Sequence, residues 1–271
     1  MTLIYFIIIL GLIVLVHEFG HFIFAKLFKV YVYEFSIGMG PKIFSRKSKK
    51  DETEYCIRAI PIGGFVQLAG EEVDDDENVP KEKKMYSKPI WQRFLIMFFG
   101  AGNNFILAFV LLLFSGIVFG SPNMDPVVVR LTEGYPMEEA GIEVGDEFLE
   151  VNGHNISTVD DVRLYLAVAK PGEDITLEMK KENGDVVTYE ISPIEEEIDG
   201  VKSYKYGIEF IRENEKGFFA PIKYAFEKTG ALFKQMFITL QMLFTGTVGM
   251  ESLSGPVGIY SIVGQTRSAG M

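Results

Sequence analysis

From Thr2 to Val16 nearly every residue is aliphatic or aromatic, and after His17-Glu18-Phe19-Gly20-His21 the apolar run resumes from Phe22 to Phe28. A helix over this run is long enough to cross a bilayer core of ~30 Å, which takes ~20 residues. A second run, Ile90 to Phe119, contains only Gln92, Arg93, Asn103, Asn104 and Ser115 as strongly polar residues. Two transmembrane helices are predicted. The 48% hydrophobic content, with positive mean hydropathy, agrees: it is above that of an ordinary soluble domain.

A cleavable signal peptide would need basic residues before the first run and a small-residue cleavage site after it. The first basic residue is Lys26, on the far side. At the second run Lys88 and Arg93 lie at the start, and no Lys or Arg follows until Arg130. Short-range Lys/Arg counts set orientation. They predict an extracytoplasmic N-terminus, a cytoplasmic 29–89 segment, and a return to the outside after about Gly120.

Between the runs, Tyr31 to Phe35, Tyr55 to Ile60 and Phe65 to Leu68 alternate like strands, with Pro61-Ile62-Gly63-Gly64 read as the turn. A small hairpin or sheet close to the membrane is expected. Residues 71–84 form an acidic block followed by a basic one, which reads as a solvated loop. From about Pro126 to Pro193 the texture is that of a small soluble α/β module. Val127–Leu131 and Glu147–Val151 read as strands, Val159–Ala169 as an amphipathic helix, and Ile175–Lys180 with Val186–Ile191 as a hairpin around Asn183-Gly184. Ala220 to Phe244 is helical again, with Phe226, Phe233, Phe237, Leu240 and Phe244 on one face and Lys223, Glu227, Lys228 and Lys234 among them. Charges at that density make a spanning helix expensive. The expectation is a helix in the membrane interface, with a buried helix of a soluble domain as the alternative.

Composition removes several classes. The formal charge of −11, from 26 Lys+Arg against 37 Asp+Glu, disfavours nucleic acid as a partner. One cysteine, Cys56, leaves neither an internal disulfide nor a Cys-rich zinc module. Three histidines, His17, His21 and His154, are the whole stock for a histidine metal site.

Two of them form His17-Glu18-x-x-His21. Positions i and i+4 of a helix lie one above the other, so both imidazoles can reach one ion. Glu18 sits beside them, where a carboxylate can take a proton from an activated water without being a ligand. Zinc suits this set, since it lowers the pKa of a bound water to ~7. Two imidazoles and a carboxylate in hydrocarbon are costly unless paired or metal-bound. The bland alternative is that they mark the cytoplasmic end of the helix.

In order along the chain, HEFGHF at 17–22, FSIGMGP at 35–41, TEYCIRAIPIGGFVQLAGE at 53–71, FGAGNNF at 99–105 and LSGPVGI at 253–259 resemble the site-2-protease-like intramembrane zinc metalloproteases. The resemblance is closest to the RseP-type branch of peptidase family M50 (RIP metalloproteases). The segment from Gly134 to Asp146 followed by Val151-Asn-Gly is similar to a PDZ domain. Ala101 stands where the family usually has Pro, which leaves Asn104 in register.

The resemblance implies Zn2+ as cofactor, held by His17 and His21, with Glu18 catalytic. It implies regulated intramembrane proteolysis of single-pass proteins of anti-sigma-factor or signal-peptide type. Asn104, Gly63, Gly64 and Phe65 are the implied substrate-binding residues. The family's third zinc ligand is an Asp in Leu-Asp-Gly on a later helix. That motif is expected beyond Met271, in a longer protein of which this chain is a part; otherwise the chain is an inactive relative. Ile198-Asp199-Gly200 and His154 are rejected as substitutes, both lying outside the membrane.

The expected fold is therefore membrane α-helical with a small membrane-associated β-hairpin or sheet and an extracytoplasmic α/β PDZ domain. The expected domains are 1–28 (first helix), 29–89 (hairpin and charged loop), 90–120 (second helix), 121–212 (PDZ-like) and 213–271 (interfacial helix and LSGPVGI segment). The expected partners are transmembrane substrate proteins, the lipid bilayer and a peptide or protein ligand of the PDZ-like module. The bacterial plasma membrane is the expected location. The competing reading is a membrane-anchored PDZ adaptor without catalysis.

Overall fold

The structure is a computed structural model that describes residues 2–49, 51–71, 77–169, 172–198, 201–210, 213–246 and 255–268. In chain order its elements are α1 (Thr2–Leu27), β1 (Val32–Lys47), β2 (Glu54–Leu68), α2 (Ile90–Phe119), β3 (Ser121–Pro122), β4 (Arg130–Leu131), α3 (Pro136–Glu139), β5 (Glu147–Val151) and β6 (His154–Asn155). They continue with α4 (Val159–Val168), β7 (Ile175–Lys180), β8 (Val186–Ile191), β9 (Ile194–Ile198), β10 (Val201–Lys205), β11 (Ile208–Glu209), β12 (Asn214–Glu215), α5 (Ala220–Phe244) and α6 (Pro256–Ser268). The chain divides into two compact units, Met1–Ala108 with Gly249–Met271, and Phe109–Val248, the division falling inside α2.

α1 and α2 are both long and apolar enough to cross a membrane. Most of their large apolar side chains, among them Leu3, Ile4, Ile8, Phe94 and Phe98, are exposed. A helix of this composition with so little protein around it leaves lipid as the medium that satisfies it.

β1 and β2 line the C-terminal half of α1. Glu34–Ile37 of β1 pairs on two sides, in the same direction as Glu54–Ile57 and in the opposite direction to residues 64–67, so the chain reverses across Pro61-Ile62-Gly63-Gly64 as expected, but β1 lies between the two arms of that turn. A second reversal joins β1 to β2, closed by a 2.9 Å bond from the Ser48 N–H to the Thr53 carbonyl. The turn stays against β1, with Met39 opposite Ile60 and Ile37 opposite Gly64. Shifts of register on either side of Met39 absorb the missing Pro61 N–H and the positive φ of Gly63 (73°). A Cβ on Gly63 would meet Val14 at 3.1 Å, and one on Gly11 would meet the Pro61 carbonyl at 3.0 Å. At the other end Lys26 pairs with Asp51 at 3.4 Å and Glu52 at 3.0 Å. At 1.5 Å per residue, the sheet thus follows α1 for about 22 Å from Gly11 to Lys26.

Inside the sheet, Glu34 is nearly buried and takes Arg58 at 2.7 Å and Lys42 at 2.8 Å; Lys42 also holds Glu54 at 2.7 Å. Burial pushes the Glu34 carboxyl up, but the bonds from Lys42 and Arg58 outweigh it and hold the group below its ordinary value. A carboxylate whose folded pKa is depressed stabilises fully above its unfolded pKa, and that contribution is lost as pH falls through the folded value. Hydrogen exchange of β2 amides, corrected for intrinsic rate, is therefore expected to accelerate on going from pH 5 to pH 3. Glu34→Gln should weaken that dependence, the remainder coming from Asp51, Glu52 and Glu54, which are likewise held below their ordinary values.

α6 lies against the start of α1, with Tyr260 edge-on to Phe6 (5.8 Å between centroids) and Gly264 beside Thr2. As numbering rises in one helix it falls in the other, so the two run antiparallel. Of LSGPVGI, Leu253 and Ser254 lie outside the described residues; the remainder leads into and opens α6.

The second unit is built on a four-stranded antiparallel sheet, order β6-β5-β7-β8. Along β7, Ile175, Leu177 and Met179 are buried and the residues between them are not, which is the period of a half-buried strand. They pack with Phe148, Val151, Val162, Met137 and Ile191 into the unit's core. The expected strand Val127–Leu131 is reduced to Arg130–Leu131 and a single bridge at Val127. The reason is a change of partner: the Val128 N–H donates to the Asp146 carbonyl at 2.8 Å and the Val128 carbonyl accepts from Gly145 at 2.9 Å. α4 opens on a capping box, with Thr158 and Asp161 satisfying each other's backbone N–H groups.

α5 presents its lysines to this module. Lys228 pairs with Asp160, while Lys234 pairs with Asp161 at 3.2 Å and donates to the Asn155 carbonyl at 2.8 Å. Phe226, Phe237, Leu240 and Phe244 remain exposed. The charges that made this helix unsuitable for spanning are thus a polar seam against the α/β module, and the apolar face is left outward.

Candidate metal centre

His17 and His21 occupy successive turns of α1, their rings edge-on with centroids 4.8 Å apart, and the two Nε2 atoms are 3.2 Å from each other. His21 Nδ1 lies 2.8 Å from the Ile96 carbonyl. A carbonyl only accepts, so the His21 proton sits on Nδ1 and its Nε2 offers a lone pair; such an outer bond is what commonly orients a metal-ligating imidazole. Two nitrogens on one tetrahedral zinc, each 2.0–2.1 Å from it, stand about 3.3 Å apart. The observed separation fits that arrangement.

α2 leaves room in front of the pair. A Cβ on Gly100 would come within 2.3 Å of His21 Nε2 and 2.9 Å of His17 Nε2, so only a glycine there leaves the space that both Nε2 atoms border. One turn along α1, a Cβ on Gly20 would lie 1.9 Å from the Phe99 carbonyl oxygen. The helices can meet at this distance because both contact residues lack a side chain. Phe24 stacks on Phe99 with 3.9 Å between centroids, and Asn103 Nδ2 donates to the Val16 carbonyl at 3.4 Å, holding the crossing from both sides.

Glu18 faces the sheet. The Val66 N–H of β2 donates to Glu18 Oε2 at 3.1 Å, which leaves Oε1 for a proton. Of the other residues singled out from sequence, Gly63 and Gly64 are buried at the bend of β2. A Cβ on Gly64 would meet the Ser36 carbonyl at 2.4 Å. The Phe65 ring lies 4.9 Å beneath the Arg58 guanidinium. Asn104 is partly buried, and its Oδ1 has no hydrogen-bond partner among the described residues. His154 stacks face to face on Tyr165 in the second unit, 4.5 Å between centroids, and Asp199 lies outside the described residues.

Among the described residues no third ligating group joins the two histidines. The one cluster of three mutually close ligand atoms is Glu34, Glu54 and Cys56, and there the carboxylates are already taken by Lys42 and Arg58. It is an ion-paired core, not a metal site. Four contributors to the histidine site escape the motif: Gly20, Gly100, the Ile96 carbonyl and the Val66 amide. Two of these are backbone groups with no residue signature. The glycines carried a weak one, small residues within apolar helical runs.

The chain matches the model of peptidase family M50 over residues 5–271. It is 40% identical over 271 residues to a Clostridium perfringens (strain 13 / Type A) protein named as a candidate zinc metalloprotease, an alignment that takes in 100% of this chain and 77% of that protein. A Fusobacterium nucleatum protein with the same kind of name is 36% identical over 294 aligned positions, covering 100% of this chain and 78% of its own length. The regulator of sigma-W protease RasP of Bacillus subtilis (strain 168) is 28% identical over 348 positions, covering 100% and 81%. With its paired imidazoles set in an apolar helix and this extent of similarity, the chain belongs to peptidase family M50.

Proposed function

We propose that this protein is an intramembrane zinc metalloendopeptidase of the site-2-protease type, acting on single-pass membrane proteins. The observation that carries the reading is the pair of Nε2 atoms 3.2 Å apart across the space left by Gly100. When bound, zinc supplies Lewis acidity and a source of hydroxide at neutral pH. His17 and His21 hold it, and the Ile96 carbonyl fixes the His21 tautomer. Glu18 Oε1 takes a proton from the attacking water and returns it to the leaving amine. The name of the Bacillus subtilis relative favours a substrate of anti-sigma-factor type.

A helical substrate must unwind before its carbonyls can be attacked. The outer edge of residues 64–68, where Val66 meets Glu18, is placed to take the unwound segment as an added strand. Asn104 Oδ1, buried and without a partner among the described residues, is suited to accept a hydrogen bond from that segment's backbone. The second unit serves as a PDZ-like module outside the membrane, with α5 lying in the interface on its outward phenylalanines. The first helix enters from outside, and residues 29–89 lie on the cytoplasmic side.

Cleavage of a single-pass substrate within its apolar segment, abolished by a strong chelator and restored by zinc, is the expected outcome in membranes carrying the protein. Cleavage that survives complete removal of metal would refute the assignment. One observation favours a second reading, a non-catalytic PDZ adaptor: two rather than three ligands come together among the described residues. Retention of a PDZ ligand without any zinc-dependent cleavage would favour that reading.

A further inference from the structure

Cations gather where the end of α1 meets the start of α2. α1 closes with the Val30 N–H donating to the Ala25 carbonyl at 2.8 Å, which puts Lys29 in the left-handed region (φ 57°), at a position where glycine would be free of strain. The chain returns to this end through residues 81–88, and the Tyr31 N–H donates to the Lys83 carbonyl at 2.8 Å. α2 then starts alongside, with the Trp91 ring edge-on to Phe28 at 5.3 Å between centroids. Lys29, Lys83, Lys88 and Arg93 are thereby drawn to one end of the α1–α2 seam. Among the described residues none of the four forms an ion pair.

Two of these cations are half-buried. Burial pushes the Lys88 ammonium below its ordinary value, and the charges of Lys29 and Lys83 push the same way, against the attraction of Glu82. Arg93, Ile96 and Gly100 recur at intervals of three and four, so they share the stripe of α2 that faces α1. Arg93 Nε is shut off from solvent and has no hydrogen-bond partner among the described residues. An unbonded donor of a charged group is costly to bury. An anion removes that cost, and the start of a helix favours the same sign of ligand.

The apolar surroundings narrow the kind of anion. Tyr86 and Trp91 are exposed at this level, and further along α2 Phe94 and Phe98 are exposed and stacked, 5.6 Å between centroids. Amphipathic rings above an apolar flank match the headgroup and acyl levels of a bilayer. A soluble anion has no use for that flank, and the chain's charge of −11 disfavours a nucleic acid.

We propose that the cluster of Lys29, Lys83, Lys88 and Arg93 binds the phosphate of an anionic phospholipid, whose acyl chains lie along Phe94 and Phe98. Lys88 and Arg93 grip the phosphate oxygens, and the exposed Lys29 and Lys83 add attraction. The site is independent of the hydrolytic reading and rests only on α1 and α2 spanning a membrane.

Trp91 is the chain's single tryptophan and stands beside the cluster, so its quenching by lipids brominated on their acyl chains reports which lipid sits there. The whole purified chain carrying Glu18→Gln is reconstituted in phosphatidylcholine bilayers containing either brominated phosphatidylglycerol or brominated phosphatidylcholine at the same mole fraction. Phosphatidylglycerol should be preferred by at least about five-fold, the contribution of one basic residue near an anionic surface. The preference should persist in salt that screens exposed charges. Arg93→Gln and Lys88→Gln should each lower it, and Arg93→Lys should keep most of it. The double glutamine variant should erase it while brominated phosphatidylcholine still quenches as in the parent, which shows that α2 remains in the bilayer. Lys180→Gln, in the second unit, should change nothing. Loss of the preference on adding inorganic phosphate would assign the cations to a soluble anion and overturn the proposal. So would an undiminished preference in the double variant, or equal quenching by the two lipids in the parent, as follows if the acidic residues of 71–77 neutralise the cluster.

Discussion

Glu18→Gln protein keeps its zinc and its substrate but cleaves about 10²–10⁴-fold more slowly, the range in which a positioned general base contributes. Glutamine has the same shape, and its carbonyl oxygen can still accept the Val66 N–H that Glu18 Oε2 accepts at 3.1 Å. The imidazole pair does not depend on Glu18: His21 is oriented by the Ile96 carbonyl and faces His17 directly. What the amide lacks is the ability to take a proton at the second oxygen. Metal analysis and cleavage of a transmembrane substrate in parallel give the decisive comparison. Loss of zinc along with activity would make Glu18 a ligand or a structural group, and an undiminished rate would remove it from the chemistry altogether.

The second large effect is expected from single methyl groups at the helix crossing. Gly100→Ala places a carbon where His21 Nε2 now stands 2.3 Å away, so the ring must turn off the site. Disturbing the groups that orient a ligand costs about 10–100-fold in metal affinity, and a displaced ligand should cost at least the upper end. Gly20→Ala acts differently. Its Cβ would lie 1.9 Å from a main-chain oxygen, which cannot rotate away, so α1 and α2 must move apart. That is overpacking against backbone, above the ~1–3 kcal/mol typical of side-chain overpacking. Both variants should lose zinc and activity together, whereas Gly230→Ala, with nothing within 4 Å of the added carbon, should behave as the parent. Zinc retained at parental stoichiometry in Gly100→Ala would show that the space in front of the histidines is not the metal's.

The parts readable along the chain were those governed by local period. An uninterrupted apolar run, two histidines four apart with a glutamate between, and the alternation of Ile175, Leu177 and Met179 depend on near neighbours only. The pairing around the Pro61–Gly64 turn was not readable, for the complementary reason. Pro61 and two glycines do reverse the chain, but the arms on either side of them both pair with Glu34–Ile37, a segment about twenty to thirty residues away that no local pattern points to. Likewise the lysines of α5 looked like a penalty until Asp160 and Asp161 of α4, distant in sequence, came to face them.

Helical periodicity by itself determined that His17 and His21 share a face of α1 and that Glu18 lies next to them, since a 3.6-residue turn admits no other placement. Only the folded chain decided that this face looks into a gap kept open by Gly100, that the Ile96 carbonyl holds one imidazole proton, and that the Val66 amide holds one carboxylate oxygen. The physical reason is range. A helix encodes its own faces within a few residues, whereas a backbone carbonyl, an amide or a missing Cβ acquires meaning only from whatever distant segment is brought against it.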